Sequence, residues 1–475
     1  MSNPMAMYQQ LQSTLEPAHN GEIVAIEPES GEHFLGKTLG QADNAAYAKF
    51  PDGWVYFVRI GEPEAAMPLK FRMQLIADER YESAAAFDVN NDGILDIVSG
   101  AWWYEGPDFV KKHPVGDVKA FGEYYDDFST IPLDINGDGR LDFVTGGWWG
   151  ETLRWRENPG DPAKPWPEHI IAETGSVETT RAWDVDRDGQ LEIVPNTPGG
   201  PLVVYKLVTD KAGKGTGTFA AHKIYDGKQG HGLGFGDISG KGRGDFVMAH
   251  GWLEAPEDPF KGKWIYHPEF NLGSASVPIL VADVNGDRLN DIIIGSDHGY
   301  GLAWYEQRMD SGKRSFVQHW IETDYPTIHT MALADLDGDG NQELITGKQL
   351  LAHNGGDVGG FEPSFVFYYK FQKGRFERHI LSYSYLTPYF GPDSNNEPPP
   401  NYVVGVGMRF QVADMDGDGK LDVVIPCRTG LYIFFNKGYS QRAGRPNWLP
   451  SRESYPSNVR WGGGGPRTPA AKKKQ

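Results

Sequence analysis

A single cysteine, Cys427, stands among 475 residues, so no intramolecular disulfide framework holds this chain. No stretch approaches the length of apolar sequence that a membrane-spanning helix needs. The opening residues, MSNPMAMYQQLQSTLEPAHNG, have neither a basic start nor an apolar core and do not read as a secretory signal. A cytoplasmic location is therefore the expectation, or an extracellular or periplasmic one if a leader has been removed. Positive charge is in deficit: 45 Lys and Arg against 64 Asp and Glu leave a net charge of −19. That balance argues against nucleic acid and against an anionic membrane surface as partners. Glycine is abundant instead, with 60 residues, well above the usual share of about 7 %, yet it shows no Gly-X-Y period. Together with 14 Trp, 22 Tyr and 24 Phe, it suits an all-β chain with many tight turns.

One pattern recurs seven times: AFDVNNDGILDIVSG, PLDINGDGRLDFVTG, AWDVDRDGQLEIVPN, FGDISGKGRGDFVMA, VADVNGDRLNDIIIG, LADLDGDGNQELITG and VADMDGDGKLDVVIP. The first aspartates are Asp88, Asp134, Asp184, Asp237, Asp283, Asp335 and Asp414, spaced near 50 residues with one long insertion before the last. Each copy reads as a strand, an acidic loop, a β-branched strand, an aromatic strand and a fourth strand. That organisation predicts a seven-bladed β-propeller over residues 65–438. The last copy lacks its fourth strand, and a spare one, Phe71–Ile76, precedes the first copy, where it can close the ring. Residues 1–64 read as a small α/β appendage and 439–475 as a Pro/Gly-rich basic tail.

Within the loops, oxygen-bearing side chains recur at relative positions 1, 3, 5 and 9. They are Asp88, Asn90, Asp92 and Asp96; Asp134, Asn136, Asp138 and Asp142; Asp184, Asp186, Asp188 and Glu192. The later copies give Asp283, Asn285, Asp287 and Asp291; Asp335, Asp337, Asp339 and Glu343; Asp414, Asp416, Asp418 and Asp422. Alternate residues of a tight loop can converge on a hard cation, and Ca²⁺ takes roughly six to eight oxygens. The fourth copy puts Lys241 where a ligand would stand, which predicts a loop without metal. Across residues 70–438 the chain resembles the FG-GAP/VCBS repeat family, and the resemblance implies structural calcium in up to six loops.

The acidic loops lie on one face of a propeller, so the starts of the first strands and the ends of the second strands share the other. There the copies place Glu82, Glu178, His231 and His329, followed by Trp102, Trp103, Trp148, Trp149, His250, Trp252, His298, Lys348 and Arg428. His353 falls in an insertion at 348–363, and a second insertion at 386–404 projects from the same mouth. Six other histidines, His113, His169, His222, His267, His319 and His379, recur near the fourth strands and read as architectural. Imidazoles with carboxylates permit a transition-metal site, such as zinc, or direct general acid–base chemistry, and a tryptophan rim suits sugar rings.

GKQGHGLGFGDI and IHTMALADLDGDG resemble the histidine-bearing strand starts of the propeller in fungal aldos-2-ulose dehydratases. The likeness implies that His231 and His329 belong to a site that eliminates water from a keto-sugar. The leading reading is therefore a calcium-stabilised propeller with a carbohydrate-directed site of lyase or dehydratase type. His231 and His329 serve as bases or metal ligands, Glu178 and Glu82 as their carboxylate partners, and Lys348 as the anion stabiliser. The alternative is a non-catalytic propeller that binds a ligand, or a protein partner through the appendage.

Overall fold

The β-branched segments that follow each acidic loop become the second strands of seven four-stranded antiparallel sheets arranged as the blades of a propeller. The computed structural model describes residues 4–27, 30–37, 39–50, 55–61, 69–122, 124–384 and 403–439. The basic tail and nearly all of the second insertion lie outside them. Two compact units are present: Leu69–Tyr439, and one that contains the N-terminal residues. Blades 1 to 6 span residues 84–114, 131–173, 179–225, 233–267, 280–326 and 331–384. Blade 7 takes three strands from 411–439 and its fourth, Leu69–Ala77, from before the first blade. Phe434 faces Met73 and Asn436 faces Phe71 in that closing pair, so the N-terminal strand completes the ring as its spare pattern predicts.

Second strands are buried along their whole length, as in Asp142–Gly146 and Asp291–Gly295. A strand covered by neighbouring blades on both faces has no solvent face, so apart from the hydrogen-bonded carboxylate at its start it runs apolar or small rather than alternating. The outer strands do alternate, and there the fourth-strand histidines find their place. His113, His169, His267 and His319 stack on Trp103, Trp155, Trp252 and Trp304 with ring centroids 4.1–4.6 Å apart. Each also meets a third-strand glutamate, Glu105, Glu157, Glu254 or Glu306, at 2.8–3.2 Å.

The unit that contains the N-terminus has helices Pro4–Leu15 and Leu39–Tyr47 and a three-stranded antiparallel sheet. The sheet includes a short strand, His33–Gly36, that the sequence pattern does not single out; it pairs with Ile23–Ile26. Tyr8, Val24, Ile26 and Ile60 form its core. Among the described residues no helix is long and apolar enough to cross a membrane.

The carboxylate at relative position 9 has the same task in every blade. Asp96, Asp142, Glu192, Asp245, Asp291, Glu343 and Asp422 are all at most 1 % exposed. Each accepts the amide of the residue just after the first aspartate, or the next one in blade 4, at 2.7–3.1 Å. In the five aspartate blades the second oxygen accepts an amide at the end of the third strand, from Gly106, Asn158, Ala255, Gln307 or Asn436. One buried side chain thus ties three strands together, including blade 4, whose loop carries Lys241. Asp245→Ala leaves the Ser239 and Ala255 amides unpaired and is expected to cost about 2–5 kcal/mol. Denaturant unfolding measures this, and the loss should be the same with and without a calcium chelator.

Candidate functional site

The first strands begin at the mouth and run along the central channel, so their first residues meet there. His231 precedes the first strand of blade 4, His329 that of blade 6, and Glu178 that of blade 3. His231 lies between two carboxylates, with Nε2 3.0 Å from Glu178 Oε1 and Nδ1 2.6 Å from Asp297 Oδ2. Its Nδ1 is also 2.9 Å from the Ala275 carbonyl. The rings of His231, His298 and His329 pack edge-on in a triangle, with centroids 4.9–5.8 Å apart. Ligand atoms of these three histidines and of Asp297 all lie within 4.8 Å of one another. Among the described residues His329 Nδ1 is buried with no hydrogen-bond partner.

The charges follow from burial and pairing. Burial opposes a charge on His231, but Glu178 and Asp297 outweigh it and raise its pKa well above the ordinary histidine value. Burial alone would raise both carboxylates; the charge and hydrogen bond of His231, helped by His329 and His298, instead hold them below their usual range. His329 is pushed down to about 4, chiefly by burial, so it is a neutral imidazole at neutral pH. A neutral imidazole has one unprotonated ring nitrogen, the form in which histidine binds metals.

Asp297 and Asp357 are the two members of the site that sequence reasoning passed over. Asp297 directly precedes His298 in the SDHG turn after a second strand, and that adjacency is a signal the blade-by-blade alignment overlooked. Asp357 lies within the 348–363 insertion and has no counterpart in other blades. It accepts from His298 Nδ1 at 2.9 Å and from His353 Nδ1 at 2.8 Å, and the two imidazoles stack at 4.7 Å. A proton on His298 Nδ1 leaves Nε2 free as a ligand, so Asp357 fixes the useful tautomer from behind.

The remaining expected site residues divide by environment. Lys348 does not stabilise an anion at the mouth, because its ammonium is held by the carbonyls of Gly359, Gly360 and Glu362 at 2.6–3.1 Å. Burial lowers its pKa to about 8, with Glu362 opposing. Arg428 likewise braces the insertion, donating to the Leu351 carbonyl at 2.7 Å and lying over the Tyr124 ring. Glu82 is buried and accepts from Gln349 Nε2 at 3.0 Å; burial raises its pKa against the pull of Arg428. Trp103 and Trp252 are not a rim: both are buried and stacked on the fourth-strand histidines. Trp102 is half-buried under the Lys112 ammonium. His250 is exposed and meets Asn271 at 3.0 Å.

Trp148 is exposed and Trp149 half-buried beside it, on a turn whose amides Asp126 accepts at 3.1 Å. Trp149 packs on Phe121, Tyr124 and Phe128. The Tyr124 hydroxyl then accepts from the His353 amide, which joins this aromatic patch to the insertion.

The acidic loops are not equivalent either. In blades 3 and 6 position 9 is Glu, and the strand register sets a lysine opposite it. Lys206 Nζ lies 2.7 Å from Asp186 and Asp188 and 2.8 Å from Glu192. Lys370 contacts Asp337, with Asp339 at 3.1 Å and Glu343 at 3.8 Å. An ammonium sits among the carboxylates of these two loops, where ligand atoms of Asp184, Asp186 and Glu192, and of Asp335, Asp337 and Asp339, lie within 4.8 Å of one another. Among the described residues, the loops of blades 1 and 5 have no basic side chain paired with Asp88, Asp92, Asp283 or Asp287. Asp138 meets Arg140, and Asp416 and Asp418 meet Lys437 at the surface.

The sequence profile of the FG-GAP-like repeat matches residues 101–194 and 283–346. A search of curated proteins finds no match. Among solved structures, one similar chain is an Agrocybe aegerita lectin, described for specific recognition of non-reducing terminal N-acetylglucosamine. It is 17 % identical with a TM-score of 0.39, over 76 % of this chain and 89 % of the lectin. Another is BBS1N, solved in complex with ARL6DN and soaked with lead, at 11 % identity and a TM-score of 0.44. That match covers 78 % of this chain and 97 % of the other. With the blades, their closure and the matching repeats in view, the chain is a seven-bladed β-propeller that carries FG-GAP-like repeats at residues 101–194 and 283–346.

Proposed function

We propose that the mouth is a transition-metal site at which a small polyhydroxylated substrate, a sugar or keto-sugar, loses water. The observation that carries this reading is the convergence of three imidazoles and one carboxylate around His329, whose buried Nδ1 lacks a partner among the described residues. His231, His298, His329 and Asp297 form a donor set of the kind zinc prefers. Zinc held there supplies Lewis acidity toward a substrate carbonyl. Metal uptake displaces the proton of His231, as it must for any imidazole ligand. Glu178, ionised beside the cluster, is the base: it takes the proton from the carbon next to the carbonyl and returns it to the departing hydroxyl. The C–H and C–O bonds break, a C=C bond forms, and one water leaves. Trp148 and Trp149 offer the apolar ring faces on which a sugar stacks.

Calcium belongs to the same reading. Blades 1 and 5, with oxygen ligands and no competing cation, take it, while Lys206 and Lys370 stand in for it in blades 3 and 6.

Two measurements test these assignments. Metal analysis after dialysis should find about one zinc per chain in the native protein and none in His329→Ala. A set of keto-sugars, followed by absorbance of the unsaturated ketone, should show turnover that falls at least about 100-fold in Glu178→Gln. Retained zinc in His329→Ala, or unchanged turnover in Glu178→Gln, overturns the site. For the loops, Lys206→Met exposes the blade 3 carboxylates to one another and should add one calcium per chain in equilibrium dialysis. It should also make thermal stability more dependent on calcium than in the native chain; an unchanged calcium stoichiometry contradicts the stand-in role of Lys206.

A further inference from the structure

The central channel holds a second charged feature of opposite sign. Arg181, in the first strand of blade 3, reaches across the channel to the carbonyls of Val277 and Met408 and to the Thr330 hydroxyl. Arg409 enters from blade 7. Both line a cavity of about 350 Å³, together with Trp183, Leu191, Phe235 and Gln411. None of the lining residues is acidic. Arg181 is 9 % exposed, and among the described residues its buried Nε has no hydrogen-bond partner; the same holds for Nη1 of Arg409.

Buried polar groups in folded proteins are almost always paired, and a buried charge without a counter-ion is the costliest exception. Burial pulls the pKa of both groups down, to about 9 for Arg181 and about 10 for Arg409, and the charge of Arg409 adds to the effect on Arg181. A guanidinium keeps its proton at neutral pH even so. The two side chains therefore present an unmet demand for negative charge, in a chain whose net charge is −19. Guanidinium N–H groups match carboxylate oxygens in geometry and strength. The rest of the wall is largely apolar and aromatic, which suits an anion with an apolar body better than a bare, strongly hydrated phosphate.

We propose that this cavity binds a small organic carboxylate, its head on the free N–H groups of Arg181 and Arg409 and its body against Trp183 and Phe235. The assignment goes beyond the mouth reading and does not depend on it.

Benzoate is the probe, titrated calorimetrically into the full chain at matched ionic strength, with benzamide and phosphate as controls. Saturable uptake of one benzoate per chain is expected, with none for benzamide and weaker or no uptake of phosphate. Arg409→Met should weaken benzoate binding at least about tenfold, as loss of a charged hydrogen bond requires, and Arg181→Met should do the same. If Arg181→Met does not fold, Arg409→Met decides alone, since Nη1 of Arg409 has no hydrogen-bond partner among the described residues. His329→Ala, which dismantles the mouth, should leave benzoate binding intact. The proposal is overturned if benzoate shows no saturable binding, if benzamide or phosphate binds as well, if both arginine variants bind normally, or if His329→Ala abolishes uptake.

Discussion

Everything in the ring depends on a buried carboxylate that cannot be left without partners. At position 9 of each repeat it sits inside the blade, where an ionised group survives only with strong hydrogen bonds. Backbone amides from the acidic loop and from the third strand supply them. The carboxylate therefore fixes where the first and third strands end relative to the start of the second. With those ends pinned on one face, the opposite ends of the same strands are delivered to the mouth at a common level. The convergence of His231, Glu178 and His329 from three blades follows from a bracing contact made at the other side of the ring.

The same contact explains a covariation inside the chain. Where position 9 is Asp and its neighbour across the sheet is polar, that neighbour is Glu, and it turns outward to a fourth-strand histidine. Where position 9 is Glu, the longer side chain meets a lysine, which takes the place of the third-strand glutamate near the histidine. His379 is then pushed down to about 4 by burial and the Lys370 charge. His222 moves the same way beside Lys206. Six blades thus follow one of two routes, set by Asp or Glu at position 9, while blade 7 places Phe435 opposite Asp422. In the spacing of oxygens alone, the two routes look alike.

That limit marks what was legible in the residues. The blades, their number and the closing strand were, because a repeated pattern of burial is a one-dimensional signal. The mouth was legible where it fell on the repeat, as with His231, His329 and Glu178. It was not legible at Asp357, which belongs to an insertion with no register to align, nor at Asp297, which hides beside a histidine already noticed. Trp103 and Trp252 misled for a related reason. Side chains alternate faces along a strand, and one step of register separates a rim tryptophan from one stacked in the core. Lys348 and Arg428 lie at the mouth in sequence, but both heads are committed to backbone carbonyls of the insertion that shapes it.

Net charge is the poorest guide to the channel. A chain with an excess of acid places its carboxylates in turns on one face and around His231 at the other, and sets two guanidiniums without acids between them. The two charged regions share one stretch of backbone. Val277 donates its amide to the His329 carbonyl at 3.0 Å, and its own carbonyl accepts from Arg181. A peptide group relays little charge, but it does hold position. The head of Arg181 is therefore part of the floor on which His329 stands, and the geometry of the imidazole cluster is set from below by a cation as well as from the sides by carboxylates. A blade-by-blade alignment cannot reveal this, because Arg181 reaches past its neighbours to residues of blades 5, 6 and 7. The contacts that organise the mouth run across the ring, while the pattern that builds the ring runs along it.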